Sequence, residues 1–162
     1  MSSFAAPGAT STWGVRQVNA IIAFRPDFIL AEFAVNDATL HRRITPGASA
    51  NTIAAIIDRL GEALPNSRIA IMAMNPVHGL RGAARPLLDH YTDAHARAAD
   101  DAGVDFIDHR PAWRAHSRAQ RRLMIPDGVH PIAACAVTLM LPTLMMRLAP
   151  APALAKERVH AG

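Results

Sequence analysis

Cysteine is nearly missing from this 162-residue chain: Cys135 stands alone, which excludes an intrachain disulfide and any cysteine-based metal cluster. Aromatic residues are scarce, at 5%, so there is little from which to build a base-stacking platform for nucleic acid. No run reaches the roughly 18 apolar residues that a membrane span needs. Residues 1–12 lack the basic start and long apolar stretch of a signal peptide. The chain is therefore expected to be cytoplasmic, with no membrane partner, an expectation that lapses if the N-terminus is incomplete. Charged residues make up 19% against 51% hydrophobic ones, the balance of a folded globular protein. An excess of 17 Lys+Arg over 13 Asp+Glu gives a net charge of +4, too mild to imply a nucleic-acid partner.

What is present is organised around Arg25-Pro26-Asp27-Phe28-Ile29-Leu30-Ala31-Glu32-Phe33-Ala34-Val35-Asn36-Asp37. Apolar residues fill nearly every position from Phe28 to Val35, as in a parallel strand buried on both faces. The run stops at Asn36-Asp37, and in open α/β sheets ligands bind beyond the strand carboxyl ends. A second buried strand is expected over Arg68–Met74, ending at Asn75-Pro76 before a loop with His78, and a short third one over Val104–Asp108. Helices are expected over residues 13–24 (with Ser11 or Thr12 as N-cap), 48–64, 86–102 (closed by Gly103), 111–122 and 132–148. The last helix should pack apolar residues on most sides, with Met72, Met74, Met140, Met145, Met146 and Cys135 as core filler. Alternating strands and helices imply a parallel sheet with right-handed crossovers in a single domain, residues 1–148, followed by a flexible tail over 149–162.

Asp127 and His130 share the loop Ile125-Pro126-Asp127-Gly128-Val129-His130-Pro131. A carboxylate accepting from one imidazole nitrogen fixes the tautomer and frees the other nitrogen as a general base. Taken alone, D-x-x-H in a loop is an ordinary surface turn. Its context is more specific. The pattern P-D-(apolar run)-x-N-D, with D-G-V-H-P far downstream before the final helix, resembles the SGNH/GDSL hydrolase family. The M-N-P-V-H-G loop and the Val-Asp-Phe-Ile-Asp strand fit too, so the resemblance covers about residues 5–148.

That resemblance implies an α/β fold, a three-layer α/β/α sandwich around a parallel, flavodoxin-like sheet of order 2-1-3-4-5. It implies that His130 and Asp127 are catalytic and that Asn36, with Gly8 of P-G-A-T-S, forms the oxyanion hole. Asp37 and His78 are expected to line the cleft. The implied activity is hydrolysis of small acyl esters, such as O-acetyl groups on carbohydrates, without a cofactor or metal. The family's G-D-S nucleophile block should lie upstream of Gly8 and has no counterpart, nor do its first helix and second strand, so the fold is expected to be truncated on its N-terminal side. The nucleophile is thus unknown; Ser2, Ser3 and Ser11 are the nearby hydroxyls, and Ser11 is better suited to capping. Ala34 stands where the family often has Gly. The alternative is a non-catalytic ligand-binding module or an inactive remnant of the same fold. With the two strands absent, the strand 28–35 becomes an edge with unpaired backbone groups, and self-association through it is expected.

Two further features have plain readings. Arg110, Arg114, Arg118, Arg121 and Arg122 recur at helical spacing, as an anionic-ligand or nucleic-acid stripe or, more simply, a solvated face flanking the site. His41 and His78 follow strand ends, but no H-x-x-H or H-E-x-x-H spacing supports a metal site.

Overall fold

The computed structural model describes residues 3–148. The tail expected over 149–162 lies outside the described residues. Helix α1 (Ser11–Phe24) leads into strand β1 (Phe28–Ala31), followed by the short helix α2 (Ala34–Asp37), a 3-10 turn (Leu40–Arg42) and helix α3 (Pro46–Ala63). Strand β2 (Arg68–Ala73), helices α4 (Gly79–Ala83) and α5 (Leu88–Asp101) and strand β3 (Asp105–Asp108) come next. Helices α6 (Arg110–Arg114), α7 (Arg118–Met124) and α8 (Ala133–Leu148) complete the described chain.

The three strands pair in parallel in the order β1-β2-β3, so β1 has one edge that no strand of the described residues covers. Register decides which residues share a face. Ile29 aligns with Ile69, and Ala31 with Ile71 and Phe106, and these side chains pack with Val18 of α1, Ile53, Ile56, Ile57 and Leu60 of α3, and Ala98 and Ala99 of α5. Strand side chains alternate between faces, so Ala70 and Ile107 point the other way. Both are also buried, at 0% and 1% exposure, and helix α8 contacts β3. The result is a three-layer α/β/α arrangement. Each fully buried Ile or Leu contributes on the order of 1.5–3 kcal/mol, which makes the α1/α3/α5 face the main source of stability.

Local signals account for most element ends. Thr45 caps α3 by accepting from the Ala48 N–H at 3.1 Å, with Pro46 in the first turn. Gly103, at φ +66°, closes α5 where expected. Helix α1 is capped by Thr10, in place of Ser11 or Thr12; the Thr10 side chain makes no cap bond, and the first N–H of the helix, that of Ser11, goes to the Asp37 carboxylate.

Three expectations are corrected. The strand expected over Phe28–Val35 ends at Ala31, because the Glu32 carboxylate accepts from the Val35 N–H at 3.0 Å and turns Ala34–Asp37 into a helix. The helix expected over 111–122 is two, since Ser117 and Gln120 form a reciprocal capping box that starts α7 afresh. Helix α8 buries none of its residues: Val137, Met145 and Met146 are exposed, Cys135 only half-buried, and among the described residues nothing covers its outer side.

Glu32 gives the sheet end a pH dependence. The residue is half-buried, and burial pushes its carboxyl from an ordinary 4.5 up to about 7, the Val35 N–H opposing the rise and the nearby Asp37 adding to it. At this group the folded chain therefore binds more protons than the unfolded chain between those pH values, and the Glu32 contribution to stability falls as pH rises through that window. Chemical denaturation of the wild type and Glu32→Gln across pH 4.5–7 should show the wild type losing stability relative to the variant as pH increases; a constant difference contradicts this assignment.

Candidate active site

The carboxyl ends of β1 and β2 deliver two polar groups of residues, one around Asn36 and one around the loop 126–131. In that loop the Asp127 carboxylate closes a tight turn. Its Oδ1 accepts from the N–H groups of Val129 (2.9 Å) and His130 (2.7 Å), and its Oδ2 accepts from His130 Nδ1 at 2.7 Å and from Arg81 at 2.8 Å. These bonds, first that from the His130 ring and then those from the two backbone N–H groups, hold the Asp127 carboxyl well below the usual carboxylate range. With Asp127 ionised and facing Nδ1, the proton of the neutral His130 ring belongs on Nδ1 and Nε2 is left as the base. The His130 side chain is 76% exposed.

The loop is held from behind by β2. Buried Asn75 donates to the Val129 carbonyl at 2.8 Å, and the His78 N–H donates to the Gly128 carbonyl at 2.9 Å. Gly128 sits at φ +83°, and a Cβ there would lie 2.4 Å from the His78 carbonyl oxygen. Only glycine satisfies both constraints. Asn75 is a residue that sequence reasoning misses; its one signal is that it ends a strand as Asn36 follows one.

Asn36 lies in α2 and donates an amide hydrogen to the Ala9 carbonyl at 2.9 Å, which joins it to the loop of Gly8. Its second amide hydrogen has no protein acceptor among the described residues. Gly8 is exposed, at φ +68°, and its carbonyl accepts from Arg42 at 3.0 Å. This group and the histidine loop are connected by arginines: Arg81 binds Asp127, the Arg81 carbonyl accepts from Arg85 at 2.9 Å, and Arg85 donates to the Val35 carbonyl at 2.7 Å.

Asp37 does not line a cleft. It is fully buried and accepts from the Ser11 N–H at 2.9 Å and from the Ser49 hydroxyl at 2.5 Å. The Ser49 Oγ lies 2.6 Å from His95 Nε2. Since the Ser49 hydrogen goes to Asp37, His95 must donate through Nε2. Burial pushes His95 down to about 4, with Asp37 opposing, so the ring is neutral near pH 7. Ser, His and Asp meet here in the wrong order for hydrolysis: the serine proton is committed to the carboxylate, and Ser49 and His95 are sealed, at 0% and 1% exposure. The network instead ties the start of α1 and the turn of Asn36 to α3 and α5. Ser11, buried with no partner for its hydroxyl, is equally closed to substrate.

His78 is half-buried and lines a recess between α7 and the segment 76–83; His41 is exposed on the 3-10 turn. Among the described residues no cluster of His, Cys, Asp or Glu could hold a metal ion, and no helix is long and apolar enough to cross a membrane.

Gly128→Ala tests how tightly the histidine loop is seated. Overpacking of this kind costs about 1–3 kcal/mol, so the variant should unfold at lower denaturant than wild type. Gly61→Ala, in α3 with open space around it, should be neutral or stabilising by up to about 1 kcal/mol. An unchanged midpoint for Gly128→Ala contradicts the close backbone approach.

Known proteins place this geometry in a family. No curated protein matches the chain. Among solved structures it is similar to a GDSL-like lipase candidate from Parabacteroides merdae, with a TM-score of 0.74 and 22% identity over 86% of this chain and 68% of that one. An acetylxylan esterase from Geobacillus stearothermophilus matches with a TM-score of 0.71 and 16% identity over 89% of this chain and 69% of that one. A lipase/acylhydrolase from Enterococcus faecalis matches with a TM-score of 0.71 and 19% identity over 90% and 75%. At such identities these likenesses speak to the fold. The model of the GDSL-like lipase/acylhydrolase family matches residues 2–135, and the chain belongs to that family.

Proposed function

We propose that this chain carries the acid–base and oxyanion-binding parts of an ester hydrolase acting on small acyl esters, with carbohydrate O-acetyl groups as leading candidates. The observation that carries this reading is the Asp127–His130 pair, 2.7 Å apart, on a ring that remains 76% exposed. The esterase and acylhydrolase titles of the similar structures support the reaction class, and the acetylxylan esterase supports the acetyl suggestion.

In this mechanism His130 Nε2 takes the proton of an attacking hydroxyl as its oxygen bonds to the acyl carbon, and Asp127 stabilises the imidazolium. The carbonyl π electrons move onto oxygen, where the Asn36 side-chain amide and the Gly8 N–H hold the charge, each such donor being worth roughly 10²–10³ in rate. Collapse expels the alkoxide, which receives the proton from His130. The family's serine has no match in residues 1–162, and for these residues by themselves the attacking hydroxyl is taken as that of water. Turnover is then slow, of the order of the 10³–10⁴ over background that an oxyanion hole and binding supply without a full triad. The same missing serine favours a second reading, a module that binds an acyl or sugar group without cleaving it, or an inactive remnant.

The two readings separate on hydrolysis of a p-nitrophenyl acetate series by residues 1–162 beside His130→Ala. The hydrolase reading predicts slow release of p-nitrophenol that the variant loses. Equal, background rates contradict it and leave the non-catalytic reading.

A further inference from the structure

The arginine stripe divides into two unlike halves. Arg110 is paired with Asp108 at 2.9 Å and Asp93 at 2.7 Å, and Arg114 with Asp89 at 2.7 Å. Arg118, Arg121 and Arg122 of α7 form no ion pair among the described residues. Arg118 is exposed, and half-buried Arg121 spends one donor on the His116 carbonyl, leaving the rest of its guanidinium fork free.

Arg118 and Arg121 face a recess of about 360 Å³ between α7 and the segment 76–83, with His78, Gly79 and Gly82 on the opposite wall. Among the described residues no carboxylate lines it. Arg81, the remaining cation of that segment, is neutralised by Asp127. The Nε2 atom of His78 is buried and has no hydrogen-bond partner. The same residue binds Gly128 through its backbone N–H at 2.9 Å, so one wall of the recess is continuous with the loop that carries Asp127 and His130.

We propose that this recess is a subsite for an anionic substituent on the ester substrate, a carboxylate, sulfate or phosphate group held by Arg118 and Arg121 against the wall that His78 forms. Planar guanidinium forks match oxyanions with two parallel hydrogen bonds, and Arg118 and Arg121 bring two such forks to one recess. The class of substrate follows: acyl esters of acidic sugars or of other anionic alcohols are preferred over neutral ones. The substrate assignment rests on the ester-hydrolase reading, whereas binding of the anion does not require turnover.

The test is an NMR titration of the whole isotope-labelled chain with galacturonate, sulfate and inorganic phosphate at fixed ionic strength, following the Arg Nε–H and His side-chain signals. Saturable shifts are expected at Arg118, Arg121 and His78 for at least one anion, and which of the three saturates lowest identifies the group. Affinity should fall at least tenfold in Arg118→Gln/Arg121→Gln and several-fold in Arg118→Gln, whose exposed side chain supports no packing. Arg122→Gln, on the same helix but outside the recess, should bind like wild type. Shifts that do not saturate, or an equal loss in Arg122→Gln, mean non-specific charge attraction and overturn the proposal. Anion binding without His130-dependent hydrolysis supports the site and removes the hydrolase reading; hydrolysis without anion binding removes the subsite alone.

Discussion

The carboxylate of Asp127 is the contact on which the active region depends. It accepts two hydrogen bonds on each oxygen, from the Val129 and His130 N–H groups on one and from the His130 ring and Arg81 on the other. One ionised group thereby folds its own loop, orients the imidazole and, through Arg81 and Arg85, reaches the turn that presents Asn36. These bonds are made in an exposed loop, where water competes for every donor. The loop keeps its shape because its back is dry: Gly128 lies against the His78 backbone, and Asn75 fills the Val129 carbonyl from the end of β2.

The other half of the site uses the opposite environment. Asp37 is as buried as Asp127 is open, and its partners are the first N–H of α1, Ser49 and, beyond it, neutral His95. Buried carboxylates are tolerated when hydrogen-bonded, and this one draws α1, α2, α3 and α5 together beneath Asn36 and the Gly8 loop. Adjacent residues thus divide the work: Asn36 ties the turn to the Gly8 loop through the Ala9 carbonyl while Asp37 anchors it from within.

The sheet was legible because buried parallel strands leave unbroken apolar runs, and the functional end because polar pairs stop those runs at Asn36-Asp37 and Asn75-Pro76. The resemblance to SGNH/GDSL hydrolases came from D-G-V-H-P in that setting. The early end of β1 was not legible, since Phe33, Ala34 and Val35 suit a strand and the Glu32 bond that ends it depends on three dimensions. The Ser49–His95 pair left a faint trace: Ser49 lies four positions before Ile53 on the buried face of α3, and His95 lies between Tyr91 and Ala98 on that of α5, polar residues in apolar register. The exposed side of α8 had no sequence signal, because an apolar helix looks the same whether or not something covers it.

The central claim is that Asp127 sets the tautomer of His130, and ring-nitrogen NMR of the ¹⁵N-histidine-labelled chain measures this directly. For the neutral ring, the account predicts a protonated Nδ1 and an unprotonated Nε2, with the preference lost in Asp127→Asn. A proton on Nε2 in the wild type, or the same tautomer balance in both proteins, would contradict it.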